Sequence, residues 1–237
     1  MRQQQKGFTL VEIAIVLVII GLLLGGILKG QELINSARVR NLADSTSGIQ
    51  AAYFGFIDRY RRVPGDWDKT NAGNAIAGAI ASGGNNNGRL DTTGDWGEAN
   101  ALWEHISKAG FISGAYTGTN TEPNTNNGLT PLNPFNSPII VARTDNYMAD
   151  TTGALPARLH LIIGRSTPVD IARELDTKLD DSNPETGNLR SAATGAGPLG
   201  GTPGWGGSLA NCVDTSGAVA FWDVNADIQD CNTVFFF

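Results

Sequence analysis

The feature that most constrains the fold is an apolar run near the N-terminus. From Phe8 to Leu28 the sequence has 21 residues, and Glu12 is the only charged residue among them. This length suits a helix that spans a bilayer. A carboxylate at membrane depth is energetically costly and marks a functional position by default. The run therefore predicts a membrane segment in which Glu12 has a specific partner.

A cleaved secretory signal peptide is the competing interpretation of this run. Its apolar core would be shorter and would end at a cleavage site of small residues. Here the following sequence, LKGQELINSARVRNL, continues as a predicted helix without such a site. Arg2 and Lys6 precede the run, so the positive-inside rule predicts a cytoplasmic N-terminus. The larger part of the chain is then expected outside the cytoplasm.

The residues at the start of the run resemble the processing site of type IV pilins and the related type II secretion pseudopilins. From Lys6 to Glu12 the sequence reads KGFTLVE, in which a basic leader ends in glycine directly before Phe8. In that family a membrane peptidase cuts after the glycine and methylates the new N-terminal residue. The resemblance therefore implies a leader peptide of residues 1–7, cleavage between Gly7 and Phe8, and N-methylation of Phe8.

The resemblance also implies a structural function and no enzymatic one. It implies a subunit that polymerises into a type IV pilus or a type II secretion pseudopilus. The expected partners are a prepilin peptidase, identical or related pilin subunits, and the bacterial inner membrane before assembly. A single-pass membrane protein would then join a periplasmic or extracellular filament, in which the Phe8 amine of one subunit pairs with Glu12 of a neighbour. The alternative is a minor or tip-located pilin whose head binds a surface, a sugar or DNA.

A heptad spacing extends the predicted helix beyond the apolar run. Two rows of residues form one stripe on it: Leu42, Ile49 and Phe56, and Val39, Thr46, Tyr53 and Tyr60. Pro64-Gly65 marks the end of the helix. A helix from Phe8 to Arg62 would be roughly 80 Å long, more than a domain of this size can bury, so half of it is expected to protrude. We therefore expect a membrane and assembly segment at 8–28, an amphipathic segment at 29–62 and a globular head at 63–237.

Beyond the helix, the composition predicts a loop-rich α+β head. Glycine accounts for 30 of the 237 residues, and Asn, Thr and Gly form long polar stretches. A loop is expected over 63–94, and helices are expected over 95–110 and from Thr167-Pro168 to Leu179. A long helix followed by a small, mainly antiparallel sheet gives the α+β class. Its predicted strands are 138–143, 158–164, 217–222 and 233–237, the last as an edge strand or a docked tail.

The helix predicted over 95–110 carries the most specific expectations in the head. Asp95 is the predicted N-cap, with Glu98 three residues later, and Gly110 is the predicted stop. His105 lies beside the apolar face, where a surface or capping role is favoured over catalysis. Three residues form the predicted buried face: Leu102, Trp103 and Ile106.

Cys212 and Cys231 are the only two cysteines. In a periplasmic or extracellular domain, a lone pair of cysteines predicts a disulfide. It would close a loop of about 20 residues and contribute roughly 3 kcal/mol by the chain-entropy argument. Pilins commonly have such a C-terminal loop, which favours the same pairing, and two free buried thiols are the alternative.

The motifs of catalysis and of resident cofactors have no convincing match in the sequence. A G-x-G-x-x-G match at 195–200 contains a proline and lacks the flanking strand and helix of a dinucleotide site. Oxygen-rich turns at 223–227 and at Asp180-Asp181 leave bound calcium as an alternative to no cofactor. The first of these turns lacks the glycine and the bidentate glutamate of a calcium-binding loop.

The balance of charge argues against nucleic acid as the main partner. The formal net charge is −6. A small basic cluster, Arg59, Arg61 and Arg62, lies at the predicted end of the long helix and could contact phosphates. We interpret it instead as a solvated helix end.

Overall fold

The computed structural model describes residues 9–76, 78–91, 96–151, 153–193 and 212–237. The chain divides between Val39 and Arg40 into two compact units. Helix α1 (Leu10–Tyr60) begins in the first unit and ends in the second. Several predicted features lie outside the described residues: Gly7, Phe8, the proposed N-cap Asp95 and the glycine-rich match at 195–200.

Most of the apolar stripe predicted on α1 is buried, and Tyr60 at its end is half-buried. Its buried members include Leu42, Ile49, Tyr53 and Phe56. The backbone N–H of Arg61 donates to the Ile57 carbonyl at 2.8 Å, and Arg61 then adopts a left-handed conformation with φ of 55°. The helix therefore ends at Tyr60, before the predicted boundary and before Pro64 could interrupt it.

The loop predicted over 63–94 contains a helix, α2 (Lys69–Ile76), so that prediction is wrong in part. The Asp68 carboxylate accepts hydrogen bonds from the backbone N–H of Asn71 at 3.0 Å and from its side-chain amide at 2.8 Å. The backbone bond is the main cause that lowers the pKa of Asp68 to about 2. Ala72 and Ile76 are buried, and this packing supports a helix too short to be stable alone.

The helix predicted over 95–110 is α3 (Gly97–Lys108). Trp96 occupies its N-cap position without a side-chain cap. At the other end, Gly110 has a φ of 82° and donates to the Ser107 carbonyl at 2.9 Å, which confirms the predicted glycine stop. The predicted apolar face is fully buried, as Leu102, Trp103 and Ile106.

A four-stranded antiparallel sheet and a two-stranded sheet complete the α+β head. Their strands are β1 (Ile140–Thr144), β2 (Arg158–Thr167), β3 (Leu189–Ser191), β4 (Val213–Asp214), β5 (Phe221–Trp222) and β6 (Cys231–Phe236). The order of the larger sheet is β1-β2-β6-β3, and β4 pairs with β5. Helix α4 (Val169–Leu179) follows β2, with Pro168 at the N-cap position instead of the predicted first helical position.

The C-terminal strand lies inside the sheet and not at its edge. Residues 233–237 are predicted as an edge strand or a docked tail, but β6 pairs with β2 on one side and with β3 on the other. The register of β2 against β6 shifts on both sides of Gly164, which identifies a bulged segment. Arg165 and Ser166, which belong to this bulged segment, line a cleft in the head.

Candidate functional sites in the N-terminal segment and the head

Glu12 forms a reciprocal capping interaction with Thr9 at the start of α1. Its Oε2 atom accepts hydrogen bonds from the Thr9 backbone N–H and the Thr9 hydroxyl, both at 2.8 Å. In return, the Glu12 backbone N–H donates to the Thr9 hydroxyl oxygen at 3.3 Å. This is the capping box that Thr-x-x-Glu spacing favours. The spacing is a local signal, but the capping box was not among the predicted features.

The apolar side chains of α1 between Leu10 and Leu28 are exposed. Leu10 is 91% exposed and Leu22 is 74% exposed. The helix is long and apolar enough to cross a membrane, with a mean hydropathy of 2.8 in its most apolar window and none of that window buried. A contiguous apolar surface of this kind marks contact with a membrane or with other proteins.

Glycines recur in the same segment without a packing requirement inside the chain. Among the residues that the structure describes, a Cβ atom added at Gly21, Gly25, Gly26 or Gly30 would meet no atom within 4 Å. Each glycine reduces helix stability by up to about 1 kcal/mol relative to alanine. Their spacing, Gly21-x-x-x-Gly25 and Gly26-x-x-x-Gly30, is typical of contacts between membrane helices.

His105 is completely buried, so the predicted surface position is wrong. Its Nδ1 accepts a hydrogen bond from the Gly65 backbone N–H at 3.1 Å, and its Nε2 lies 3.2 Å from the Ser82 carbonyl oxygen. This pair of contacts fits a neutral ring with its proton on Nε2, and burial lowers the pKa of the imidazole. The ring also stacks on Phe56, with centroids 6.2 Å apart. His105 thus links α1, α3 and two loops.

Glu104 organises the loops around α3 through its buried carboxylate. It accepts hydrogen bonds from the backbone N–H groups of Ala81 and Gly118, both at 2.9 Å, and lies 2.6 Å from Lys108 Nζ. Burial raises the pKa of Glu104, but these bonds outweigh it, and the net shift is downward. Glu104 is therefore ionised in the folded head.

Glu98 lies on the same helix in a less favourable environment for charge. Its carboxylate accepts a hydrogen bond from the Asp91 backbone N–H at 2.7 Å. Burial is the main cause that raises the pKa of Glu98 to about 7, and the carboxylates of Asp66 and Asp91 add to the shift. Glu98 was predicted as part of a helix cap, but it binds the preceding loop.

The C-terminal loop is closed by the disulfide expected between Cys212 and Cys231. Their Cα atoms are 5.9 Å apart, and both residues are buried. Within the loop, the Trp222 indole N–H donates to the carboxylate of Asp176 on α4 at 2.8 Å. Burial raises the pKa of Asp176 to about 6. The disulfide and this hydrogen bond together hold the small sheet against α4.

Asp176 also belongs to a group of carboxylates that could hold a cation. Oxygen atoms of Asp176, Asp180 and Asp181 lie within 4.8 Å of one another. Backbone N–H groups already donate to Asp180 and Asp181, and calcium takes about six to eight oxygen ligands. The turn at 223–227 is not part of this group, and its Asp223 accepts a hydrogen bond inside its own turn. Bound calcium therefore stays an alternative to the prediction of no cofactor.

The basic cluster at the end of α1 is exposed. Arg61 lies 3.3 Å from Asp58, with both side chains 80% exposed, and the Arg59 guanidinium lies 5.1 Å from the centre of the Tyr60 ring. Ion pairs with this exposure contribute little to stability. Their geometry is that of a solvated helix end, and the absence of a nucleic-acid partner stays a prediction.

Comparison with known families identifies the N-terminal segment. Residues 2–28 match the family model described as the prokaryotic N-terminal methylation motif. The match includes the predicted cleavage residues, Glu12 and the exposed apolar part of α1. No curated protein matches the chain.

The exposed apolar part of α1 lies within the methylation motif, and the α+β head follows it in the chain. The motif supports the assignment of this chain to the type IV pilin and pseudopilin family, as a pilin-like subunit. This family is structural and its members are not enzymes. The motif implies processing by a prepilin peptidase and polymerisation with other pilins, and the apolar helix fits membrane anchoring before assembly.

Proposed function

We propose that the chain is a structural subunit that polymerises into a type IV pilus or a type II secretion pseudopilus. A prepilin peptidase removes residues 1–7 and methylates Phe8. Residues 8–28 then serve as the membrane and assembly segment, 29–62 as the amphipathic segment and 63–237 as the head. The observation that carries the proposal is the coincidence of the methylation motif with the exposed apolar part of α1.

The exposed apolar part of α1 contacts different surroundings before and after filament assembly. Lipid covers it while the subunit is a single-pass protein of the bacterial inner membrane. Arg2 and Lys6 keep the N-terminus cytoplasmic, and the head is on the periplasmic side. In the filament, the same segments of identical or related subunits cover one another, with glycines allowing close approach.

Glu12 has a role in each of these states. In the single subunit it caps α1 through Thr9, and both hydrogen bonds from Thr9 use Oε2. The Oε1 atom is then the acceptor for the Phe8 amine of a neighbouring subunit. Pairing of the Phe8 amine with the Glu12 carboxylate offsets the cost of removing both charges from water. It also favours one axial register between neighbouring subunits, since buried ion pairs contribute more to register than to net stability.

The second candidate function is a minor or tip-located pilin that binds a ligand through its head. A cleft in the head, lined mainly by residues with polar side chains, favours this candidate. Both functions use the same processing and anchoring. Abundance separates them, because a major subunit dominates sheared filaments and a tip subunit is rare in them.

Intact-mass measurement of the protein purified from membranes tests the proposal. The expected chain starts at Phe8 and carries one methyl group on its amine. Gly7→Leu should block cleavage, because the peptidase needs a small residue there, whereas Gly30→Leu is the matched control and should be cleaved normally. A parent chain that still starts at Met1 in cells with an active prepilin peptidase would refute the proposal.

A further inference from the structure

A polar cleft opens on the head beside the bulged end of β2. It has a volume of about 530 Å³ and is formed by residues 122–125, 136–138, 165–166 and Asp230. This volume falls within the roughly 300 to 1,000 Å³ of small-molecule sites. Such sites are mostly apolar, whereas eight of the ten residues that line this cleft carry an amide, hydroxyl or charged side chain. Polar and apolar atoms expose about equal surface in it, so the matching ligand combines hydrogen-bonding groups with apolar faces.

The charged side chains of Arg165 and Asp230 in the cleft are held in fixed positions. Arg165 Nε lies 3.2 and 3.1 Å from the two carboxylate oxygens of Asp230, and Asp230 also accepts a hydrogen bond from the Ser166 backbone N–H at 2.8 Å. Asp230 directly precedes the disulfide-bonded Cys231. The ion pair is therefore fixed by the bulge of β2 on one side and by the disulfide on the other.

The opposite wall is a turn braced by one buried side chain. The Asn133 amide donates to the carbonyls of Ile163 and Arg165 at 3.1 and 3.2 Å. Its oxygen accepts hydrogen bonds from the backbone N–H groups of Phe135 and Ser137, both at 2.9 Å. A single residue thus fixes the turn to β2, and the cleft is formed before any ligand arrives.

Two cleft residues have uncommon backbone conformations. Asn136 has a φ of 61° and Ser166 a φ of 62°, in the left-handed region that non-glycine residues rarely adopt. Neither residue is glycine, although glycine would be the less strained choice. Such conformations occur at ligand sites as well as in turns, and in this cleft both side chains belong to the lining.

We propose that this cleft binds a neutral saccharide. Arg165 and Asp230 offset each other's charge, so Glu122 leaves the lining with a net negative charge that disfavours phosphates and carboxylates. Amide, hydroxyl, carboxylate and guanidinium groups together donate to and accept from the hydroxyls of a sugar. Pro123 and Pro138 also contact the cleft, but both residues are buried and expose little apolar surface to a ligand. This inference goes beyond filament assembly and does not depend on it.

Saturation-transfer NMR on the full-length protein, in a detergent without a sugar headgroup, tests the proposal. The probes are glucose, galactose, mannose, N-acetylglucosamine and N-acetylgalactosamine, with glucuronic acid as the anionic comparison. At least one neutral sugar should give a saturable signal, and glucuronic acid should bind at least tenfold more weakly than its neutral counterpart glucose or not at all. The double variant Asn136→Gly, Ser166→Gly removes two lining side chains and keeps a backbone that glycine tolerates, so binding should weaken at least tenfold.

Ser182→Gly is the matched control. Ser182 has a φ of 67° and lies outside the cleft, so this variant should bind the sugar as the parent does. Thermal unfolding of all variants identifies any loss of folding, and filament incorporation, measured separately, reports on the proposed function. The proposal is overturned if no neutral sugar binds the folded parent, if glucuronic acid binds as well as glucose, or if the double variant binds like Ser182→Gly.

Discussion

The segment up to Val39 and the unit from Arg40 onward use the same residue types in opposite ways. Leu22, Leu23 and Leu24 are 74%, 61% and 56% exposed, whereas Leu42, Leu90 and Leu102 are at most 1% exposed. The head buries most of its large apolar side chains within the chain, whereas those between Leu10 and Leu28 are exposed. A substitution in the first region should therefore change assembly, and one in the second should change the free energy of unfolding.

The largest expected effect tests whether Glu12 acts outside its own subunit. Glu12→Gln keeps a side chain that can complete the capping box but removes its charge. Thr9→Val removes the side-chain acceptor of the cap and keeps the carboxylate. If the charge pairs with a neighbouring Phe8 amine, Glu12→Gln should lower incorporation into filaments at least tenfold, and Thr9→Val should retain most of it.

Quantitative immunoblots of sheared filaments, normalised to membrane-inserted and cleaved subunit, give this measurement. The normalisation matters because both variants should insert and be cleaved normally. Equal assembly of Glu12→Gln and the parent would show that charge is not needed. A loss confined to Thr9→Val would instead make capping the main function of Glu12.

Truncation of one large apolar residue in each region gives the next effect. Phe56 is fully buried and contacts His105, so Phe56→Ala should lower the free energy of unfolding of the head by about 3–5 kcal/mol. Leu23→Ala should leave unfolding of the head unchanged and reduce filament incorporation. Urea unfolding of the detergent-solubilised chain, followed by Trp fluorescence, measures the first quantity. A similar loss of head stability in both variants would contradict the division between the regions.

The two regions also differ in how much the sequence could reveal. The N-terminal segment was predictable because its signals are local: an apolar run, a heptad spacing and a short processing motif. In the head, local signals identified α3, its stop at Gly110 and two strands. The central position of β6 was missed because it depends on pairing with β2 and β3, which are distant in sequence.

Other features of the head were predicted wrongly because they too depend on residues that are distant in sequence. His105 has no local sign of burial, since its partners Gly65 and Ser82 come from loops 40 and 23 residues away. Helix α2 is eight residues long and depends on the burial of Ile76. Its cap at Asp68 was a local signal that could have been found. The cleft beside β2 is assembled from four separate parts of the chain, so no motif could indicate it.

Removal of the disulfide should destabilise only the head. The cysteines are 19 residues apart, so replacing both Cys212 and Cys231 by alanine should lower the free energy of unfolding by about 3 kcal/mol. Membrane insertion and cleavage should be unchanged, because these use the N-terminal segment. Thiol labelling of the non-reduced parent should find no free cysteine. An unchanged unfolding midpoint in the double variant, or in the parent with reductant, would refute a stabilising disulfide.

The free energy of unfolding of the head should depend on pH through the protonation of His160. This residue is completely buried against Tyr147 and Phe236, and burial lowers the pKa of its ring to about 4 from an ordinary 6.5. The unfolded chain therefore binds the proton more readily. The stabilising contribution of the neutral His160 ring is fully present above pH 6.5. As pH falls to 4, up to about 3 kcal/mol of this contribution is lost.

Comparison of the parent with His160→Phe isolates this effect. Glu98 and Asp176 have raised pKa values and change stability in the opposite direction, but they are present in both proteins. As pH falls from 6.5 to 4, the free energy of unfolding of the parent should decrease relative to that of the variant. A difference that is constant with pH, or an NMR titration of His160 near 6.5, would contradict the lowered pKa.

The smallest expected effect compares one glycine from each part of α1. Gly25 and Gly48 both lie on the helix, and a Cβ added at either would meet nothing within 4 Å. Alanine should therefore favour the helix at both positions by up to about 1 kcal/mol. At Gly48 this gain should appear as greater stability of the head, with normal assembly. At Gly25 the added methyl group should hinder close contact between neighbouring helices, so incorporation should fall a few-fold in spite of the better helix.

Competition between tagged parent and variant subunits in one filament measures so small a difference. If Gly25→Ala is incorporated as well as Gly48→Ala, close helix contact is not the reason for glycine in the N-terminal segment.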